Sequence, residues 1–254
     1  MLKPKLMVAP NGARKQQSHH PAVPLTIPQI AQCAHACFHA GADVLHMHVR
    51  EKDGAHSLDP VIYQEALDAV HETVPDMPIQ ITTEAAGIFN VETQLHCLKS
   101  LRPDAASISI REIARKPTLA PSVYGFCHEA GTQVQHILYD LGDVARMRNW
   151  MDKGWIPAAM NSVIFVLGKY QPMVLAQPSD LHPFLDATKD KHLDWMICAF
   201  GQHELACARE ALQKGGSLRI GFENNIQLPS GSRAQDNAQT VALAAALIKE
   251  MTHE

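Results

Sequence analysis

Two histidines stand one residue apart in VLHMHVR, residues 44–50, inside a segment otherwise rich in apolar side chains. In an extended chain, side chains two positions apart share a face, so His46 and His48 converge while Leu45, Met47 and Val49 point the other way. Two neutral imidazoles on one face suit a divalent metal. They also suit a hydrogen-bonded core pair, and a chain with 15 histidines in 254 residues can place such a pair by chance. A second polar cluster lies late in the chain, in RIGFENN, residues 219–225. There Arg219, Gly221 and Glu223 share one parity while apolar Leu218, Ile220 and Phe222 share the other. His46, His48 and Glu223 together would form a three-ligand site with an open position, the arrangement of a catalytic Zn2+. The plain alternatives are a surface carboxylate for Glu223 and a barrel ion pair for Arg219.

Such a site needs elements that bring residues 46 and 223 together. Short β-branched runs occur at 6–10, 43–49, 78–83, 105–110, 134–140, 162–168, 194–200 and 217–222. Amphipathic stretches lie between them, including 28–41, 60–70, 143–154 and 203–216, and 237–251 closes the series. Eight strand-then-helix units of similar length predict an α/β fold, a (β/α)8 TIM barrel, as a single catalytic domain over residues 1–254. A doubly wound sheet is the rival, but it seldom needs eight successive units. Active sites of the barrel lie at the carboxyl ends of its strands, where His46, His48 and then Arg50 end the second strand and Glu223 follows the eighth. The third and fourth strands carry Gln80, Thr82 and Glu84, and Ser107, Ser109 and Arg111, each set on one parity. This spacing predicts a polar wall, either for a ligand or as the hydroxyl filling common in barrel interiors.

Composition narrows the partner. With 46% hydrophobic and 19% charged residues and a net charge of -4, the chain has a globular composition with no basic surplus for nucleic acid or an anionic membrane. A small molecule is the expected ligand. The start, MLKPKLMVAP, is cut by Pro10 too early for a signal peptide, and no apolar run nears the ~18 residues of a membrane span, so a cytoplasmic setting is expected. Six cysteines at 33, 37, 97, 127, 198 and 207 form no CxxC pair and read as small apolar fillers of a reducing compartment.

NGAR after strand one, PLTIPQIAQ, AGADVLHMHVR, LRPDAASISI, LYDLG, FVLG, and RIGFENN followed by DNAQTV occur in order along nearly the whole chain. The combination resembles the β-keto acid cleavage enzyme family. The resemblance implies a zinc-dependent (β/α)8 barrel, a homo-oligomer, and transfer between a β-keto acid and acetyl-CoA that yields acetoacetate and a new CoA ester. It implies His46, His48 and Glu223 as the zinc ligands, Arg219 as the aid to the catalytic base, and Thr82 with Ser107 or Ser109 on the substrate carboxylate. Three departures stand out. Asn224 occupies the position of the family's Asp base, and an amide accepts no proton at neutral pH. Arg14 replaces an acidic residue, which favours a distally anionic substrate unless Arg14 merely faces solvent. Glu84-Ala85 replaces a Gly-Gly pair, and Gln135 and Ile137 take the acidic positions of strand five. Glu84 is then either a relocated base or an ion-pair partner of Arg111, the remaining candidate on the substrate wall.

Three other readings compete. An amidohydrolase-type hydrolase would use His136 beside the HxH pair. A Schiff-base aldolase would use Lys169. A degenerate barrel would bind metal and ligand without turnover.

Overall fold

Strand runs that are apolar on their outward parity need helices packed over them, and a closed parallel barrel supplies that cover. The computed structural model describes residues 4–170 and 172–252. Its barrel strands are β1 (Leu6–Val8), β2 (Val44–Met47), β3 (Ile79–Thr82), β4 (Ala105–Ser109), β5 (Gln133–Leu138), β6 (Ser162–Leu167), β7 (Asp194–Ala199) and β8 (Ser217–Ile220). The eight close in sequence order, and each neighbouring pair is parallel. β1 therefore lies between β2 and β8, which brings the histidine segment and the Arg219 segment to the same side of the barrel.

The helices are α1 (Ile27–His39), α2 (Pro60–Thr73), α3 (Val91–Leu101), α4 (Ile110–Ile113), α5 (Ala120–Ala130), α6 (Leu141–Asp152), α7 (His182–Thr188), α8 (Glu204–Gln213) and α9 (Asn237–Thr252). Their starts follow local chemistry: Thr26 and Gln29 form a capping box ahead of α1, and Asp59 caps α2 just before Pro60. Outward strand residues such as Leu45, Met47, Ile81, Ile108, Phe165 and Ile220 join the helices in the large core. A separate inner cluster of Met7, Ile137, Ile164, Val166, Met196 and Cys198 fills the barrel itself.

Two strand ends differ from the sequence pattern. β2 stops at Met47, and after His48 the chain pairs Val49–Arg50 with His56–Ser57 in a short antiparallel ribbon. β8 stops at Ile220, because Gly221 turns the backbone to a φ of 138°. A Cβ at Gly221 would meet the Ala9 carbonyl oxygen at 2.5 Å, so a side chain there is excluded. Glu223 thus reaches the barrel mouth by a turn and not by continued strand alternation.

Candidate metal centre and substrate cavity

The histidines are fixed from both ends. His46 Nδ1 lies 2.8 Å from Gln80 Oε1, while the Gln80 amide nitrogen donates to Gln135 Oε1 at 3.3 Å. With its nitrogen so used, Gln80 offers its oxygen to His46, which makes Nδ1 the donor and leaves the Nε2 lone pair facing the barrel mouth. Burial, reinforced by Arg219 and only partly opposed by Glu223, lowers the His46 pKa to about 3. The imidazole is therefore neutral, the form that binds a metal. Asn11 Nδ2 donates to the His48 carbonyl at 3.1 Å and to the Pro24 carbonyl at 2.9 Å, tying the loop after β1 to this segment.

Glu223 completes the cluster. Its Oε2 stands 3.5 Å from His46 Nε2 and 3.3 Å from His48 Nε2, and the two Nε2 atoms are 3.1 Å apart. Ligand atoms about 2.1 Å from a tetrahedral ion lie roughly 3.4 Å from one another, so the triangle has the dimensions of one divalent coordination site. Glu223 Oε2 is also buried without a hydrogen-bond partner, as an atom reserved for a cation would be. Gly12, at a φ of 60°, makes room for this carboxylate, since a Cβ there would meet Glu223 Cγ at 2.6 Å. Arg219 donates to Glu223 Oε1 at 3.0 Å and to Asn224 Oδ1 at 3.4 Å, and its Nη2 also reaches Cys198 Sγ at 3.4 Å. Burial alone would raise the Glu223 pKa; Arg219, His48 and His46 outweigh it and hold the carboxyl well below its ordinary value.

The triangle opens into a cavity of about 430 Å³ whose lining includes Arg14, Lys15, Thr82, Glu84, Ser109, Arg111, Tyr139 and Phe200. Ser109 faces this space with a hydroxyl that has no partner, whereas Ser107 is fully buried and bonds Thr82 Oγ1 at 3.4 Å. Asn224 lies behind the lining, 2% exposed, held by Arg219 through Oδ1.

Glu84 does not pair with Arg111. Arg111 turns away to Asp140 at 2.5 Å and Asp143 at 2.7 Å, two acids at the start of α6 that take its Nη2 and Nε with one oxygen each. Glu84 instead lies 3.9 Å from Arg14 and 4.0 Å from His48 Nδ1. Burial pushes its carboxyl up, and His48, Arg14 and Arg219 pull against that. His136 faces outward, fully buried, with Nε2 3.1 Å from the Met160 carbonyl and its ring against Tyr124, so it takes no part in the cavity. Its place follows from parity, because Gln135 and Ile137 hold the inward positions of β5. Lys169 reaches the rim but is exposed.

Several contributors were given no role from sequence. Arg50 donates to the carbonyls of Gly12, Lys15 and Gly54 at 2.5, 2.9 and 2.8 Å and so clamps the loop that carries Arg14 and Lys15. His56 Nε2 holds the Glu84 carbonyl at 2.7 Å, with its ring 5.3 Å from that of His48. Glu112 lines the cavity and accepts from the Ala85 amide and Gln94, and burial raises its pKa to about 7. Only His56, one residue of an apolar-poor loop, carried no pattern at all; the others sit beside motifs already noted.

A closed (β/α)8 barrel with two histidines and a glutamate converging at its carboxyl end defines a class of barrel able to hold one divalent ion over a substrate cavity. Within that class the chain belongs to the β-keto acid cleavage enzyme family, whose sequence model matches residues 4–254. It is 30% identical over 250 residues to a 3-keto-5-aminohexanoate cleavage enzyme of Fusobacterium nucleatum, covering 96% of this chain and 90% of that protein. A 3-oxoadipate:acetyl-CoA acetyltransferase of Cupriavidus necator is 27% identical, with 96% and 88% covered. Among solved structures, apo ObcA superposes with a TM-score of 0.69 at 14% identity over 91% of this chain, which spans 65% of the ObcA chain. A 3-dehydroquinate dehydratase from Geobacillus kaustophilus gives 0.65 at 13% identity, with 99% and 92% covered. These two structural likenesses speak to the barrel alone.

Proposed function

We propose that the protein is an acyltransferase of the β-keto acid cleavage type, which takes a β-keto acid and acetyl-CoA to acetoacetate and the CoA ester of the remaining acid. The ligand triangle carries this reading: its separations of 3.1, 3.3 and 3.5 Å fit one zinc ion held by His46, His48 and Glu223. Bound there, zinc would supply positive charge to the keto and carboxylate oxygens of such a substrate. Thr82 and Ser109 offer hydroxyls to the carboxylate, with Ser107 bracing Thr82 from below. Arg219 keeps Glu223 ionised and in place. Asn224 cannot serve as a base, and Glu84 is the carboxylate beside His48 that can take a proton in its stead. Arg14, at the rim beside Glu84, favours a substrate with a distal negative charge, which fits likeness to a relative named for the diacid 3-oxoadipate. Arg111, drawn to Asp140 and Asp143, shapes the wall instead of pairing with Glu84.

A cytoplasmic homo-oligomer belongs to the same proposal. Its supports are the family resemblance, six free cysteines, and the lack of any described helix long and apolar enough to cross a membrane.

The test is a screen of β-keto acids with acetyl-CoA on purified, zinc-supplemented protein, read as acetoacetate. Turnover is expected, with a loss of about 10²–10⁴-fold in Glu84→Gln at unchanged fold and metal content. A barrel without turnover would give no acetoacetate from any member of the screen. Full activity in Glu84→Gln, or a gain in Asn224→Asp, would remove Glu84 from the role of base.

A further inference from the structure

Five lysines and arginines line the cavity: Arg14, Lys15, Arg111, Lys169 and Arg219. Three are paired with carboxylates, Arg14 with Glu84, Arg111 with Asp140 and Asp143, and Arg219 with Glu223. Lys169 is exposed, where water serves its charge. Lys15 differs from all four. It is 7% exposed, and no carboxylate pairs with it among the described residues. What its ammonium meets is the ring of Tyr170, 4.9 Å away and within the ~6 Å of a cation–π contact.

The chain holds Lys15 in this position. Arg50, itself buried, donates to the Lys15 carbonyl and to the Gly12 carbonyl, so the same clamp that seats Gly12 against Glu223 sets where the Lys15 side chain starts. A largely buried lysine without a counter-charge is costly, and partial burial of the ammonium at the cavity wall lowers the Lys15 pKa. An anion beside it would relieve that cost. The rest of the lining includes Ile137, Val166 and Phe200, apolar surface suited to methylene groups.

We propose that Lys15 is the anion-recognition residue of this cavity, receiving a carboxylate or phosphate carried by one of the two substrates away from its reacting carbons. The inference rests on the proposed reaction and adds to Arg14, which is 48% exposed and already faces Glu84, a more buried neighbour that shares the reading of distal charge. Two sources of the anion fit: the far carboxylate of a β-keto diacid, or a phosphate of the CoA thioester.

Wild-type protein, Lys15→Met and Lys15→Arg separate them. Each is assayed with 3-oxoadipate and with 3-oxohexanoate, which has the same length but no distal carboxylate, and with acetyl-CoA and acetyl-pantetheine, which lacks the phosphates. If the diacid is the source, Lys15→Met loses about 10- to 100-fold in kcat/KM for 3-oxoadipate, the range of one hydrogen bond to a charged group, while 3-oxohexanoate changes little. Lys15→Arg then recovers part of the loss. If the thioester is the source, the same loss falls on acetyl-CoA and spares acetyl-pantetheine. Equal effects on all four compounds would overturn the proposal and make Lys15 structural. Calorimetric binding of the two keto acids without acetyl-CoA, and of CoA and pantetheine without a keto acid, gives a readout independent of turnover. Should no acetoacetate form, tighter binding of 3-oxoadipate, or of CoA over pantetheine, that Lys15→Met abolishes would uphold the site while sinking the proposed reaction, and equal binding within both pairs would sink the site. Should Lys15→Met fail to fold, Lys15→Gln carries the same comparison.

Discussion

The two halves of the barrel interior share one closed parallel backbone and differ in the side chains that their strands turn inward. From β8 through β2, β3 and β4 the inward positions hold Arg219, His46, Gln80, Thr82, Ser107 and Ser109. From β5 through β7 they are mainly apolar, with Ile137, Ile164, Val166, Met196 and Cys198 joined by Met7 of β1, and Gln135 of β5 stands at the edge toward the polar half. The polar half binds its groups to one another, Gln80 to His46 and Gln135, Arg219 to Glu223 and Asn224. The apolar half offers water no hydrogen-bonding partner on the face opposite. Charge interactions strengthen as the local dielectric falls, so a dry wall facing a charged one makes each ion pair of the charged wall count for more. Cys198 marks the seam, an inward residue of the apolar half whose sulfur meets Arg219.

Removing the central charge should break the contrast most. Arg219→Met leaves Glu223 without its guanidinium and is expected to cost the metal-free protein about 3–5 kcal/mol, the loss typical of half a buried pair. Zinc should then stabilise the variant more than it stabilises wild-type protein, because the ion replaces the missing counter-charge. On the apolar half, Ile164→Val should cost only about 0.5–1.5 kcal/mol with an ordinary response to zinc. Urea unfolding with and without zinc reads both, and equal zinc increments in the two variants would erase the distinction between the walls.

A smaller effect sharpens the picture behind the polar wall. Glu204, 2% exposed, faces the Gly221 amide at 3.4 Å and Asn225 Nδ2 at 3.2 Å, under the turn that delivers Glu223. Burial pushes its carboxyl up to about 8 against an ordinary 4.5, with the hydrogen bonds from Asn225 and Gly221 pulling the other way. The folded protein thus keeps a proton that the unfolded chain releases. Between pH 4.5 and 8 this group lowers stability as pH rises, by at most about 1.4 kcal/mol per unit, and above 8 the loss is complete. Buried neutral His56, with a pKa near 3 because of burial, acts in the opposite sense, removing stability as pH falls below 6.5. Glu204→Gln should therefore flatten the decline between pH 6.5 and 8 in urea unfolding; parallel curves for variant and wild-type protein would contradict the assignment.

Much of this was legible in the sequence because barrel strands repeat one rule. Alternation placed His46, Gln80, Thr82 and Ser109 on the inward parity; His136, offered as a site residue of the hydrolase alternative, lies on the opposite parity to Gln135 and Ile137 and faces outward. The rule failed where strands end. Glu223 keeps the parity of Arg219 in the sequence, yet reaches the mouth through a turn at Gly221. The proposed Glu84–Arg111 pair failed for another reason: both follow neighbouring strands, but Asp140 and Asp143 compete for Arg111 from a helix start that strand spacing does not describe. Lys15 escaped notice because burial of a loop lysine depends on Arg50 and Tyr170, residues distant in sequence.

The claim on which the rest depends is that His46, His48 and Glu223 hold one divalent ion. Equilibrium dialysis of metal-free protein against zinc measures it directly, beside a His46→Ala, His48→Ala double variant whose fold is checked by circular dichroism. One zinc per wild-type chain and none in the folded double variant is the expected result. The same zinc content in both proteins would contradict it.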